Sequence, residues 1–124
     1  MIFANGIDII EISRIKKAME RSKSLKTKLF SPKEILYCEN RNSKYQSYAV
    51  RFAAKEAFLK AIGTGWGRGI SWTDVEILND DSGKPFINLY NAAKEIFEQN
   101  GFTNISVSLS HTGDTAIATV ILSK

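Results

Sequence analysis

The sequence predicts an α+β fold, a mostly antiparallel sheet packed with helices, one of them long and central. Strand-like segments come in neighbouring pairs joined by short turns, which is the pattern of hairpins and so of antiparallel pairing. The stretch from Tyr45 to Ile62 holds neither Pro nor Gly and is rich in alanine, so it reads as one unbroken helix. The order (strand, three helices, hairpin, helix, hairpin) also lacks the regular strand–helix alternation of a doubly wound sheet.

Each element has its own justification. Ile2–Ile10 is β-branched and apolar and reads as a buried strand, interrupted by Gly6 and Asp8. An aspartate in such a run needs a partner or a ligand, unless it marks a strand end. Ser13 is placed to cap a helix to about Ser22, with Ile15, Ala18 and Met19 inside and Arg14, Lys17 and Arg21 outside. Ser31-Pro32-Lys33-Glu34 starts the next helix, with Ser31 as cap, Pro32 in the first turn and Glu34 as the reciprocal capping acid. In the long helix Phe52, Glu56 and Lys60 stack in one row, with Arg51 and Lys55 on the row beside it. Gly63 stands where a left-handed C-terminal cap belongs.

After the loop GTGWGRG, Trp72–Leu78 and Pro85–Leu89 form a hairpin through Asn79–Lys84. Ala92–Gln99 is a short amphipathic helix closed by Asn100-Gly101. Ile105–His111 and Thr115–Leu122 make a second hairpin, turning at Thr112-Gly113-Asp114. With no repeat, linker or low-complexity segment, residues 1–124 read as a single domain.

Composition narrows the chemistry. One cysteine, Cys38, excludes an internal disulfide or a cysteine-built zinc site and fits a reducing cytoplasm. One histidine, His111, at the end of a strand, excludes multi-histidine metal sites within one chain; it is either a solvated histidine or a phosphate contact. The N-terminal MIFANGIDIIEI has no basic leader, and no apolar run reaches membrane-spanning length. The net charge of +4 is concentrated in Arg14, Lys16, Lys17, Arg21, Lys23, Lys26, Lys28 and Lys33, opposed there only by Glu20. Such a patch suits an acidic partner, or is a solvated face. GTGWGRG follows a helix, whereas dinucleotide and P-loop fingerprints follow a strand and open a helix, so neither applies.

Any metal here needs oxygen ligands, and two carboxylates beside a phosphorylated substrate is the usual arrangement for Mg²⁺. Asp8 and Glu56 are the acids in the most apolar surroundings, although spacing alone does not pair them. Glu56 and Lys60 also have the spacing of an ordinary exposed helix ion pair.

Four blocks together carry a resemblance: Gly6-Ile7-Asp8 followed by Arg14; Phe52-x-x-Lys55-Glu56-Ala57-x-x-Lys60-Ala61 with Gly63-Thr64-Gly65; Gly83-Lys84-Pro85; and Ser108-x-Ser110-His111. In this order the chain resembles the holo-acyl-carrier-protein synthases, the small bacterial 4′-phosphopantetheinyl transferases. The resemblance implies that fold and transfer of the phosphopantetheine arm of coenzyme A to a serine of an apo acyl carrier protein, releasing adenosine 3′,5′-bisphosphate. It implies a cytoplasmic role in fatty acid biosynthesis and lipid metabolism. Asp8 and Glu56 would hold Mg²⁺ against the pyrophosphate, and Lys60 would act beside them on phosphate charge. Coenzyme A would further meet Arg51, Gly63, Thr64, Gly65, Lys84, Pro85, Ser110 and His111. Arg14, Met19 and Arg21 would meet the acidic carrier protein, and the assembly would be a homotrimer with its site between subunits. Neither nucleic acid nor membrane is an expected partner. The rival readings are a basic nucleic-acid-binding α+β module, which lacks an aromatic platform on a strand, and a metal-dependent phosphohydrolase.

Overall fold

The computed structural model describes residues 3–124; Ile2, the expected start of the first strand, lies outside them. The elements run β1 (Phe3–Glu11), α1 (Ile12–Arg21), α2 (Ser24–Leu29), α3 (Pro32–Glu39), α4 (Lys44–Ile62), β2 (Val75–Asn79), β3 (Pro85–Leu89), α5 (Asn91–Gln99), β4 (Asn104–Thr112) and β5 (Thr115–Ser123). β5 is the centre of a three-stranded sheet ordered β1-β5-β4, while β2 and β3 form a separate pair. Every pairing is antiparallel. The α+β expectation holds, with α4 as the central helix.

Helix α4 lies across the inner face of the larger sheet because its contact side is built from small residues. Ala53, Ala54, Ala57 and Phe58 are fully buried against Ala118, Val120 and Leu122 of β5 and Val75 and Ile77 of β2. The approach is closest at Gly6, where an added Cβ would lie 2.0 Å from the Ala57 carbonyl oxygen and 2.8 Å from the Ala61 nitrogen. Gly6 therefore lets β1 touch the backbone of α4. A second core joins Ile12, Ile15, Met19, Leu29 and Phe30 to Tyr48, Ala49 and Val50 of α4. At its far end α4 stops at Gly63, whose φ of 81° is the left-handed cap anticipated from the glycine.

Several local expectations need correction. β1 is buried on one face only, since Phe3, Ile7 and Ile9 are exposed on the other. Ser13 does not cap α1; it sits in the first turn, and its amide and hydroxyl both donate to Asp114. An extra helix, α2, occupies a lysine-rich segment with no apolar periodicity strong enough to announce it. Trp72–Asp74 form a 3₁₀ turn before β2 begins, because Asp74 caps the Ser71 amide at 3.0 Å. Thr112 belongs to β4, so the last hairpin turns on Gly113 and Asp114 alone. The Ser31–Glu34 capping box is present as expected.

Candidate active site

Where β1 crosses α4, Asp8 and Glu56 meet. Inward and outward residues alternate along β1, so Gly6 and Asp8 face the helix while Ile7 and Ile9 face away. The Gly6 contact fixes this crossing two residues before Asp8. Lys60, one turn beyond Glu56, donates from Nζ to Asp8 Oδ1 and to the Ile7 carbonyl, both at 3.0 Å. Among the described residues the ion-pair partner of Lys60 is thus Asp8, on another element, and not Glu56 as a plain helix pair would have it.

The electrostatics of the pair are unbalanced. Glu56 is half-buried, and burial holds its carboxyl above the usual range; the Asp8 charge pushes it the same way, while Trp66 and Lys60 act in opposition. One ammonium faces two carboxylates, and Asp8 keeps only 17% of its side-chain exposure. Trp66 Nε1 is buried without a well-formed hydrogen bond among the described residues, yet lies near enough to Glu56 to favour its charged form. The same indole packs on Trp72 at a centroid separation of 3.7 Å, and Trp72 stacks on Phe52 at 5.0 Å. This aromatic ladder walls the Phe52–Glu56 row. The sequence offers no role for Trp66 and reads Trp72 only as the start of a strand, though a tryptophan between glycines in GTGWGRG is a usable signal.

Lys55, one residue before Glu56, points elsewhere. Its Nζ is fully buried and donates to Glu34 Oε1 at 2.9 Å, to the Trp72 carbonyl at 3.1 Å and to the Val75 carbonyl. Glu34 also accepts from the Ser31 and Ile77 amides. Burial pulls the Lys55 ammonium down from its usual range, and the Glu34 charge acts against this. The network ties α3 and β2 to α4 and holds Trp72 in place beside the Glu56 row.

Arg51 and His111 form a second group. They line a cavity of about 240 Å³ with Arg41, Ser47 and Asn79. Arg51 is only 2% exposed. It donates to Ser47 Oγ at 2.9 Å and to Asn79 Oδ1, and lies 4.3 Å from the Tyr37 ring centre. No carboxylate among the described residues pairs with it, and its Nε has no partner there. Lys84 and Pro85 line an adjoining cavity that shares Asn79 and Leu109 with the first. Asn79 was not foreseen; an amide that orients a buried guanidinium has no sequence signature.

The two groups lie toward opposite edges of the sheet. Asp8 pairs across with Ala118, and His111 with Ala116, so β5 separates them by two strand spacings, roughly 10 Å. Ser110 alternates to the outer face, away from His111. Gly63, Thr64 and Gly65 continue directly from the Lys60 end of α4. Arg14 and Arg21 are exposed on α1. Met19, expected at the carrier-protein face, is instead 8% exposed in the second core, since it shares the inner stripe of α1 with Ile12 and Ile15.

The sequence model of the 4′-phosphopantetheinyl transferase superfamily matches residues 4–120. The chain belongs to this superfamily. It is 46% identical over 125 residues to a holo-[acyl-carrier-protein] synthase of Geobacter sp. (strain M21), covering both chains completely. Among solved structures it is similar to the Neisseria meningitidis synthase, with a TM-score of 0.89, 32% identity and 98% of each chain covered. It is also similar to the Helicobacter pylori synthase in complex with coenzyme A, with a TM-score of 0.82 and 34% identity, covering 96% of this chain and 99% of that one. Among the described residues no helix is long and apolar enough to cross a membrane.

Proposed function

We infer that this chain acts as a holo-acyl-carrier-protein synthase, transferring the 4′-phosphopantetheine group of coenzyme A to a carrier-protein serine. The observation that carries the site assignment is the convergence of Asp8, Glu56 and Lys60 at the β1–α4 crossing, beside the glycine-rich loop. The serine hydroxyl gives up its proton to a base, and its oxygen forms a bond to the phosphorus that bears the pantetheine arm. The bond from that phosphorus to the neighbouring phosphate breaks, and adenosine 3′,5′-bisphosphate leaves.

The donors at the crossing suit Mg²⁺. Both offer hard carboxylate oxygens, and burial together with the Asp8 charge leaves Glu56 in need of positive charge beyond Lys60. Asp8 and Glu56 would hold the ion, which when bound offsets charge on the pyrophosphate. Lys60 supplies a further positive group to the phosphates from a 56% exposed side chain. The backbone of Gly63, Thr64 and Gly65 lets a ligand approach the end of α4. Arg51, with His111 in its cavity and Lys84 in the adjoining one, offers an outlying nucleotide phosphate a buried positive charge with no carboxylate partner among the described residues. Incubating an apo carrier protein with coenzyme A, Mg²⁺ and this chain tests the reading by intact mass. A phosphopantetheine-sized increment is expected, and an unmodified carrier would refute it.

We further propose a homotrimer whose site spans neighbouring copies. The outer face of the sheet exposes Phe3, Ile7, Ile9 and Ile121, the isoleucines at 54%, 65% and 46%, an apolar patch that association would cover. A head-to-tail contact that closes on itself makes a ring. It would bring the Arg51–His111 edge of one copy toward the Asp8 edge of the next. Sedimentation should give three times the chain mass, and a monomer at micromolar concentration would contradict it.

The acidic carrier protein belongs on the exposed basic face of α1. Charges on a rim act mainly through encounter rate and are screened by salt. Replacing both Arg14→Glu and Arg21→Glu should therefore raise the KM for carrier protein by about ten- to a hundredfold. The KM for coenzyme A should stay within about twofold, because its phosphates lie by Lys60 and Arg51. Equal weakening of both substrates would move α1 into the nucleotide site, and an unchanged carrier KM would leave the basic stripe a solvated face.

A further inference from the structure

Helix α1 begins without a cap of its own. β1 passes into it with no loop, and Glu11 at the junction makes no side-chain capping bond. No acidic residue lies in the first turn of α1, although an acid there complements the helix dipole. What the helix lacks locally is supplied by Asp114, about a hundred residues away in sequence. Its carboxylate accepts from the Ser13 amide at 2.9 Å and from the Ser13 hydroxyl at 2.6 Å. Its carbonyl accepts from the Ile12 amide at 2.7 Å. The register explains why Asp114 is there. Thr115 pairs with both Glu11 and Thr112, so the tip of the β4–β5 hairpin meets the point where β1 becomes α1.

Asp8 and Arg14 stand six residues apart on this one strand–helix unit, with the Asp114 contacts between them. The same hairpin carries His111. We propose that Asp114 is a positioning residue for carrier-protein recognition: it fixes the first turn of α1, and with it Arg14, relative to the acid pair. This rests on the reading of α1 as the carrier-protein face. On this proposal the Asp114 carboxylate acts through Ser13 and its carbonyl through Ile12, not by contact with coenzyme A or the reacting atoms.

Asp114→Ala, Asp114→Asn and Ser13→Ala in the full-length enzyme test this. Asp114→Ala should raise the carrier-protein KM about fivefold or more, the scale of losing a cap, with kcat and the coenzyme A KM within about twofold. Asp114→Asn keeps an oxygen for the Ser13 amide and should recover most of the loss. Ser13→Ala added to Asp114→Ala should bring little further change, as expected of residues acting through one contact. Hydrogen exchange should quicken at the Ser13 amide of Asp114→Ala, which loses its carboxylate acceptor, and stay unchanged in α4. Unaltered exchange there, or a loss shared equally between the two substrates, overturns the proposal. If the Arg14→Glu, Arg21→Glu variant raises the carrier KM while Asp114→Ala does not, only the Asp114 proposal fails. If neither does, the carrier face itself has been misassigned.

Discussion

Asp8→Ala should lower transfer by about a thousandfold or more, and Glu56→Ala should do the same, with both variants folded. Two carboxylates that together offset pyrophosphate charge are worth several kcal/mol, and about 4 kcal/mol is roughly a thousandfold in rate. The stability side separates this from a structural effect. Glu56 is held in a half-buried position that raises its carboxyl above the usual range. At neutral pH the fold bears the cost of keeping it charged, so Glu56→Ala should melt no lower than the parent protein. Loss of activity without loss of stability is the signature of a group kept for function. Added Mg²⁺ should restore neither variant.

Lys60→Ala is the graded companion. An exposed ion pair is worth at most about 1 kcal/mol, so a merely structural Lys60 would leave activity nearly unchanged. A Lys60 that meets the phosphates should cost at least about tenfold in kcat/KM, roughly 1.4 kcal/mol. Steady-state kinetics with melting curves on the three variants decide the matter. Near-parental turnover by either acid variant would remove that residue from the site.

How far the chain could be read depended on whether a feature is local. The α4 helix, its Gly63 cap and the Ser31–Glu34 box were legible because propensity and capping act within a few residues. α2 was not, because its inward side is only Leu25 and Leu29, one turn apart among lysines, too short a stripe to stand out. The acids could be nominated from their apolar neighbours, but nothing in their spacing of 48 residues brings Asp8 to Glu56. That needs β1 to cross α4 in register. For Met19 the two readings diverged: the apolar spacing of α1 placed it inside, where it lies, while the resemblance placed it at the carrier-protein face. The Asp114–Ser13 and Asn79–Arg51 contacts and the Phe52–Trp72 stack join segments well separated in sequence, and only folded coordinates display them.

The crossing also makes Gly6 the residue whose change should most affect stability. Gly6→Ala would put a methyl group 2.0 Å from the Ala57 carbonyl oxygen and 2.8 Å from the Ala61 nitrogen, both backbone atoms. No rotamer relieves such an overlap, so β1 or α4 must shift by more than an ångström. Overpacking of a tight core costs about 1–3 kcal/mol and at times more. Gly6→Ala should therefore lower the melting temperature by about 5 °C or more, on the scale of roughly 4–8 °C per kcal/mol for a small domain. The same shift carries Asp8 away from Glu56, two residues along the strand. Activity of the fraction that remains folded at 20 °C should thus fall well beyond the loss of folded protein. Misplacement of about 1 Å is enough for losses of about a hundredfold. For stability alone Gly63→Ala is the control: an added Cβ there meets nothing within 4 Å, so its folding cost is confined to the left-handed φ of 81°. If Gly6→Ala melts with the parent protein and turns over normally, β1 and α4 are not packed backbone to backbone at Ala57. The account of how the fold assembles Asp8 with Glu56 would then be wrong.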